Sequence, residues 1–140
     1  MGADMIRVLL CKTTMECHDR GVRYLATKLR DAGLEVIFMN FLEPREIIDT
    51  AIEEDVDVIG VSSSVEGHLP VAREVTRRLA ELEKENVLVV FGGVIPERDI
   101  ALLRETGVRE VFGPGSSAAA IIEFIRANAR VRSFKLESEP

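Results

Sequence analysis

The stretch "VLVVFGG", residues 87–93, is the clearest indication of the fold class of this chain. Five apolar residues follow one another without a polar break, and two glycines then end the run. A strand that is apolar on both faces is typical of a parallel sheet covered by helices on both sides. A half-exposed strand would instead alternate apolar with polar residues. This stretch therefore predicts a buried parallel strand with helices packed above and below it.

Strand-like and helix-like segments alternate along the rest of the chain. The predicted strands cover residues 5–11, 34–40, 56–63, 87–93 and 108–113. Apolar side chains at helical spacing predict helices over residues 21–33, 44–55, 69–85, 96–107 and 116–130. Right-handed crossovers between such strands give an α/β fold with a doubly wound, five-stranded parallel sheet. We predict the flavodoxin-like (Rossmann-like) strand order 2-1-3-4-5, in a single domain over residues 1–130 with a polar tail over 131–140.

The composition of the chain argues against some classes of binding partner. The chain has 140 residues, 46% of them hydrophobic, and a formal net charge of -6. This acidic balance argues against a nucleic-acid partner, because phosphate binding favours a basic surface. No apolar run approaches the roughly 20 residues that span a bilayer, so no membrane association is expected. Cys11 and Cys17 match no metal-binding spacing and are expected to be free thiols in a reducing cytoplasm.

Polar and glycine-rich segments follow the strands, over residues 12–20, 62–68, 92–96 and 113–116. In open α/β sheets, ligands bind at the carboxyl ends of the strands, where the strand order reverses. These loops therefore predict a ligand site at one edge of the sheet.

The first of these loops carries Glu16, His18 and Asp19 within four positions. A histidine beside a carboxylate is the arrangement that orients an imidazole for metal ligation or proton transfer. Gly21, at the start of the next helix, lets a ligand approach the backbone. The alternative is that these charged residues only cap the helix and match its dipole.

Two further loops carry small residues. "SSS", residues 62–64, offers hydroxyls to a ligand or caps the following helix. Gly92 and Gly93 either leave room for a ligand or form a simple turn. Ser63 backed by His68 would suit a hydrolase, but no GxSxG elbow is present. Together, these loops predict a slot that suits a flat inserted ligand better than a phosphate.

These motifs bear a family resemblance. The pattern DxHxxG, then SxL, then GG, on successive strand ends, is that of the cobalamin-binding domain in coenzyme B12-dependent carbon-skeleton mutases. The chain has "ExHxxG" at Glu16, His18 and Gly21, then "SSS", then "GG". The segments "HDRG", "GGVIPERDI" and "GVREVFGPGS" also resemble methylmalonyl-CoA mutase. The resemblance covers residues 5–127.

The resemblance implies a cofactor and its ligands. His18 would be the lower axial ligand of the cobalt in adenosylcobalamin, and Glu16 would orient its imidazole. Ser62 would contact the base of the displaced nucleotide tail, and the two glycines would leave room for that tail. The residues expected to bind the cofactor are Glu16, Cys17, His18, Asp19, Arg20, Gly21, Ser62, Ser63, Ser64, Gly92, Gly93, Gly113 and Pro114.

The chain departs from the family pattern at two positions. Glu16 stands where the family has Asp, and Ser64 stands where it has Leu. Cys17, beside His18, is either an idle thiol or a competing soft ligand.

The resemblance also implies a partner. The family binds its acyl-CoA in a separate TIM barrel, and 140 residues hold no such barrel. The expected function is therefore a cobalamin-binding small subunit of an isomerase of the methylmalonyl-CoA mutase type, non-catalytic alone. The face bearing His18, Ser64, His68 and Pro114 is expected to dock the large subunit. The alternatives are a corrinoid carrier or sensor module, or a diverged domain that no longer binds corrinoid.

Overall fold

The computed structural model describes residues 4–13, 20–63, 67–130 and 132–133. The main-sheet strands are β1 (Arg7–Thr13), β2 (Glu35–Phe41), β3 (Val58–Ser62), β4 (Leu88–Gly92) and β5 (Glu110–Phe112). The helices are α1 (Arg20–Asp31), α2 (Pro44–Glu54), α3 (His68–Glu81), α4 (Glu97–Thr106) and α5 (Ala118–Asn128). In these described ranges, no helix has the length and apolar character needed to cross a membrane.

The five strands form one sheet in the order β2-β1-β3-β4-β5, and every neighbouring pair is parallel. This confirms the predicted doubly wound architecture and its strand order. The register places Ser62 beside Gly92, and Gly92 beside Phe112. The carboxyl ends of three adjacent strands therefore lie side by side. We call this end of the sheet its carboxyl edge, and the opposite end its amino edge. A separate antiparallel pairing joins Asp4–Met5 to Arg132–Ser133, close to the two chain ends.

Alternate side chains of the strands enter two different cores. Val8 and Leu10 of β1 pack with α1 and α5, whereas Leu9 and Cys11 pack with α2, α3 and α4. The predicted two-faced burial of the central strands is thus confirmed. Cys11 is a free, fully buried thiol, and its burial raises its pKa, so that it stays protonated at neutral pH.

A buried carboxylate lies at the amino edge of the sheet, opposite the loops predicted to bind ligand. Asp57 precedes β3 and is fully buried. Its Oδ2 accepts a hydrogen bond from the backbone N–H of Arg7 at 2.8 Å, and its Oδ1 accepts one from Nε of Arg130 at 2.5 Å. Arg130 also reaches Asp55 at 3.1 Å. This network links the end of the last helix to the start of β1 and β3.

We predict that Arg130→Met lowers the free energy of unfolding by about 3 kcal/mol, because it removes the guanidinium that donates to the buried carboxylate of Asp57. Urea denaturation measures the change. The matched control is Arg45→Met, which removes an exposed ion pair to Glu43 at 3.4 Å and should cost less than about 1 kcal/mol. Equal losses in the two variants would contradict the importance of the network.

Candidate functional site

A cavity of about 360 Å³ lies between the sheet and the helices α1 and α5. The strands contribute side chains that point toward these helices, among them Val8, Leu10, Val58 and Val90. The opposite wall is formed by apolar residues of α1 and α5. The cavity extends to the carboxyl edge of the sheet, where Ser62, Gly92 and Gly93 line it. Its position matches the slot predicted at this edge.

As far as the described residues form it, the lining is apolar and uncharged. The polar side chains that line the cavity are those of Ser62, Ser116 and Tyr24, and the remaining lining residues are apolar or glycine. A charged ligand group would lose its hydration here without gaining a counter-charge. The cavity therefore suits a neutral, largely apolar molecule that makes a few hydrogen bonds to hydroxyls.

The structure brings together five of the residues predicted to bind ligand. The predicted residues that line the cavity are Gly21, Ser62, Gly92, Gly93 and Gly113. Arg20, at the first position of α1, and Pro114, after β5, are exposed. The other predicted positions, Glu16, Cys17, His18, Asp19 and Ser64, lie outside the described residues.

Ser63 and Gly93 make a close backbone contact at the cavity edge. Ser63 is buried, and its N–H donates to the carbonyl of Gly92 at 2.8 Å. Gly93 has a φ of 125°, and a Cβ added to it would lie 2.1 Å from the carbonyl oxygen of Ser63. The contact between the two strand ends therefore requires a glycine at position 93.

The prediction that His68 lies on an exposed docking face is wrong. The side chain of His68 is only 9% exposed, and its Nε2 lies 2.9 Å from Oδ2 of Asp99 in α4. Its Nδ1 is buried and has no hydrogen-bond partner within the described part of the chain. His68 therefore connects the first turns of α3 and α4, on the side of the sheet opposite the cavity.

Three residues near the cavity were not predicted. Gly60 interrupts the apolar run of β3, and a Cβ added to it would lie 3.0 Å from Cδ2 of Leu10. A glycine inside a strand often marks a close approach, and this signal was available in the sequence. Tyr24 lines the cavity from α1. No pattern in the sequence distinguishes it from an ordinary surface residue of that helix.

Lys12 is the third residue that was missed. It pairs in register with Ser62 at the carboxyl edge of the sheet, and it is 5% exposed. Its ammonium donates to the carbonyl of Thr13 at 3.2 Å. A lysine is rarely buried to this extent without polar or anionic partners, so its environment at this edge is polar.

The fold and the cavity define a flavodoxin-like domain with a cavity that reaches the carboxyl edge of its sheet. The family model described as "B12 binding domain" matches residues 6–123, and the chain belongs to that family.

Similar proteins include one of nearly the same length. The chain is 43% identical to the 2-hydroxyisobutanoyl-CoA mutase small subunit of Aquincola tertiaricarbonis, over 94% of this chain and 98% of the relative. It is 38% identical to a methylmalonyl-CoA mutase of Cereibacter sphaeroides, over 86% of this chain but 18% of that protein. A crystal structure of a cobalamin-binding protein from Desulfitobacterium hafniense shares the fold, with a TM-score of 0.71 and 21% identity over 87% of this chain and 58% of that one.

We predict that the adjacent glycines respond differently to alanine. Gly93→Ala should lower the free energy of unfolding by at least about 3 kcal/mol, because the new Cβ overlaps Ser63 and the backbone conformation disfavours a side chain. Gly92→Ala should change it by less than about 1 kcal/mol, because its Cβ would meet only the carbonyl of Phe112 at 3.5 Å. Chemical denaturation compares the two. Similar losses would contradict the close contact at Gly93.

Proposed function

We propose that the protein is the cobalamin-binding small subunit of an adenosylcobalamin-dependent acyl-CoA mutase. The observation that carries this proposal is the cavity at the carboxyl edge, which the described residues line without a charged side chain, in a chain of the B12-binding family. The relative that matches over nearly its whole length is itself named a mutase small subunit. The acyl-CoA substrate is assigned to a separate large subunit with a TIM barrel, and the chain alone is not catalytic.

The residues present fit the nucleotide tail of a corrinoid. The cavity volume lies within the range of roughly 300–1,000 Å³ that is usual for small-molecule sites. Glycines at positions 60 and 92 widen it on the sheet side, where other residues would add a side chain. The apolar walls suit a flat heterocycle, and Ser62 offers a hydroxyl to it. The charged phosphate would remain at the rim, outside the uncharged lining.

His18 and Glu16 would act at the mouth of this cavity. His18 would ligate cobalt through one imidazole nitrogen, in the base-off, histidine-on mode, and Glu16 would accept a hydrogen bond from the other. Lys12 is buried just before this loop, and its ammonium would stabilise the charged form of a carboxylate that the loop brings beside it. When bound, the corrinoid supplies a weak cobalt–carbon bond and radical chemistry.

The remaining predicted residues would form the rim around the corrin ring. These are Cys17, Asp19, Arg20, Ser63, Ser64, Gly113 and Pro114. We assign Ser63 a backbone role there, because its side chain is buried and its N–H is bound to Gly92.

The ligand assignment predicts a nitrogen signature in the Co(II) EPR spectrum. The protein has two histidines, so labelling with 15N-histidine changes the splitting only if one of them ligates cobalt. We expect a three-line pattern with unlabelled protein and a two-line pattern with labelled protein. His18→Ala should abolish the isotope effect, and the matched control His68→Gln should retain it.

Variants of Glu16 test its assignment as the hydrogen-bond partner of His18. Glu16→Gln should weaken corrinoid binding by about 10–100-fold, as is typical for the hydrogen-bond partner of a metal-ligating histidine. Glu16→Asp should hold or raise the affinity. An isotope effect that survives in His18→Ala would overturn the assignment of the ligand. If the wild type binds no corrinoid, while Glu16→Asp combined with Ser64→Leu does, the chain is a diverged domain.

The large subunit would dock on the carboxyl edge of the sheet. Two exposed apolar residues lie at this edge, Leu42 directly after β2 and Val94 two residues after the end of β4, each 64% exposed. They are the most exposed of the large apolar side chains in the described residues. We assign these two side chains to the interface, where docking would remove their apolar surface from water.

We predict that Val94→Asp weakens association with the large subunit by about tenfold or more, since it buries a charge in the interface. Isothermal titration calorimetry of the two purified subunits with adenosylcobalamin measures this. Leu82→Asp is the matched control, because Leu82 is exposed at the end of α3, near the opposite edge of the sheet. The docking assignment is wrong if Leu82→Asp weakens association and Val94→Asp does not.

A further inference from the structure

Tyr24 is an aromatic residue of α1 with two properties that bear on ligand binding. It lines the cavity from α1, and yet it is 58% exposed. The other large apolar or aromatic side chains that are exposed, within the described residues, do not line the cavity; they are Leu42, Ile52, Leu82, Val94 and Leu102. Tyr24 therefore lies at the boundary between the cavity and solvent.

The surroundings of Tyr24 leave one side of its ring open to a ligand. Lys28, one helical turn further on, places its ammonium 5.4 Å from the ring centroid, which holds the ring from that side. Gly21 lies almost one turn before Tyr24 on the same helix and also lines the cavity. A Cβ added to Gly21 would meet no atom of the described residues within 4 Å, so none of them fills the space beside it.

The polarity of the lining indicates which part of a ligand reaches Tyr24. Among the described residues, Tyr24 is one of three with a polar side chain that line the cavity, with Ser62 and Ser116. A neutral aromatic group inside the cavity and a polar group outside it would meet at this boundary. An aromatic ring with a polar tip suits such a position, because it offers a flat apolar face and stays hydrated at its hydroxyl.

We infer that Tyr24 is a cofactor-binding residue that covers the mouth of the cavity by packing its ring against the base or ribose of the inserted nucleotide tail. This inference rests on the proposed function and adds a contact that the sequence motifs do not contain. Because an aromatic side chain stacks favourably on any nucleobase, loss of the ring should weaken binding by about tenfold.

The test compares a corrinoid that has the nucleotide tail with one that lacks it. Hydroxocobalamin and aquocobinamide are titrated into the wild type, Tyr24→Phe and Tyr24→Ala, and bound corrinoid is measured by equilibrium dialysis. Tyr24→Ala should raise the Kd for hydroxocobalamin about tenfold and leave the Kd for aquocobinamide unchanged. Tyr24→Phe should stay within about twofold of the wild type for both. Leu102→Ala, which shortens an exposed side chain of α4 away from the cavity, is the matched control and should change neither Kd.

The composition of the chain provides an independent readout. Tyr24 is its one tyrosine. Protein labelled with 13C-tyrosine therefore gives a single set of ring signals, which should shift with hydroxocobalamin and not with aquocobinamide.

The outcomes separate the two proposals. Unchanged hydroxocobalamin binding by Tyr24→Ala, with unshifted ring signals in the wild type, overturns the role of Tyr24 and leaves the proposed function standing. A wild type that binds neither corrinoid overturns both. Equal weakening for the two corrinoids also overturns the inference, because the effect would not depend on the tail.

Discussion

The backbone contact between the ends of β3 and β4 is the constraint on which the site depends. Ser63 donates to the carbonyl of Gly92, and the carbonyl of Ser63 occupies the space in which any other residue at position 93 would place its Cβ. Gly93 in turn donates to the carbonyl of Phe112 at 3.1 Å. These bonds extend the sheet beyond its strands and align three loops at one edge. The cavity opens along this aligned edge.

The two sides of the sheet have different tasks. The side covered by α2, α3 and α4 is a packed apolar core, and the His68–Asp99 contact joins two helix starts there. The side covered by α1 and α5 contains the cavity, next to a smaller core. A glycine in the middle of β3 faces this second side. One side of the sheet is therefore packed throughout, while the other leaves space for the proposed ligand.

Much of the fold could be predicted from sequence, because burial on both faces leaves a clear pattern. The apolar runs around Val58 and Val90 located the central strands, and the strand order followed from the connections. The glycines and serines at the strand ends predicted the position of the cavity, because ligands of open α/β sheets bind at the carboxyl ends of the strands. Side-chain direction could not be predicted in this way. His68 was expected on an exposed face, but the first turn of α3 directs it inward to Asp99.

The ion pair between Asp57 and Arg130 could not be predicted from the sequence either. Asp57 is one of several acidic residues in a short segment, and its partner Arg130 lies 73 positions away. Nothing local distinguishes this carboxylate from its exposed neighbours. Tyr24 was missed for a similar reason, since its role follows from the cavity beside it and not from its spacing in α1.

We propose that the nucleotide tail of a corrinoid occupies the cavity between the sheet and α1 and α5. Intermolecular NOEs in the complex with hydroxocobalamin, which is diamagnetic, locate the tail. We expect NOEs from the protons of the dimethylbenzimidazole base to the methyl groups of Val58, Val90 and Ile125, which face the cavity. A bound complex whose base shows NOEs only to residues outside the cavity would rule out this placement of the tail.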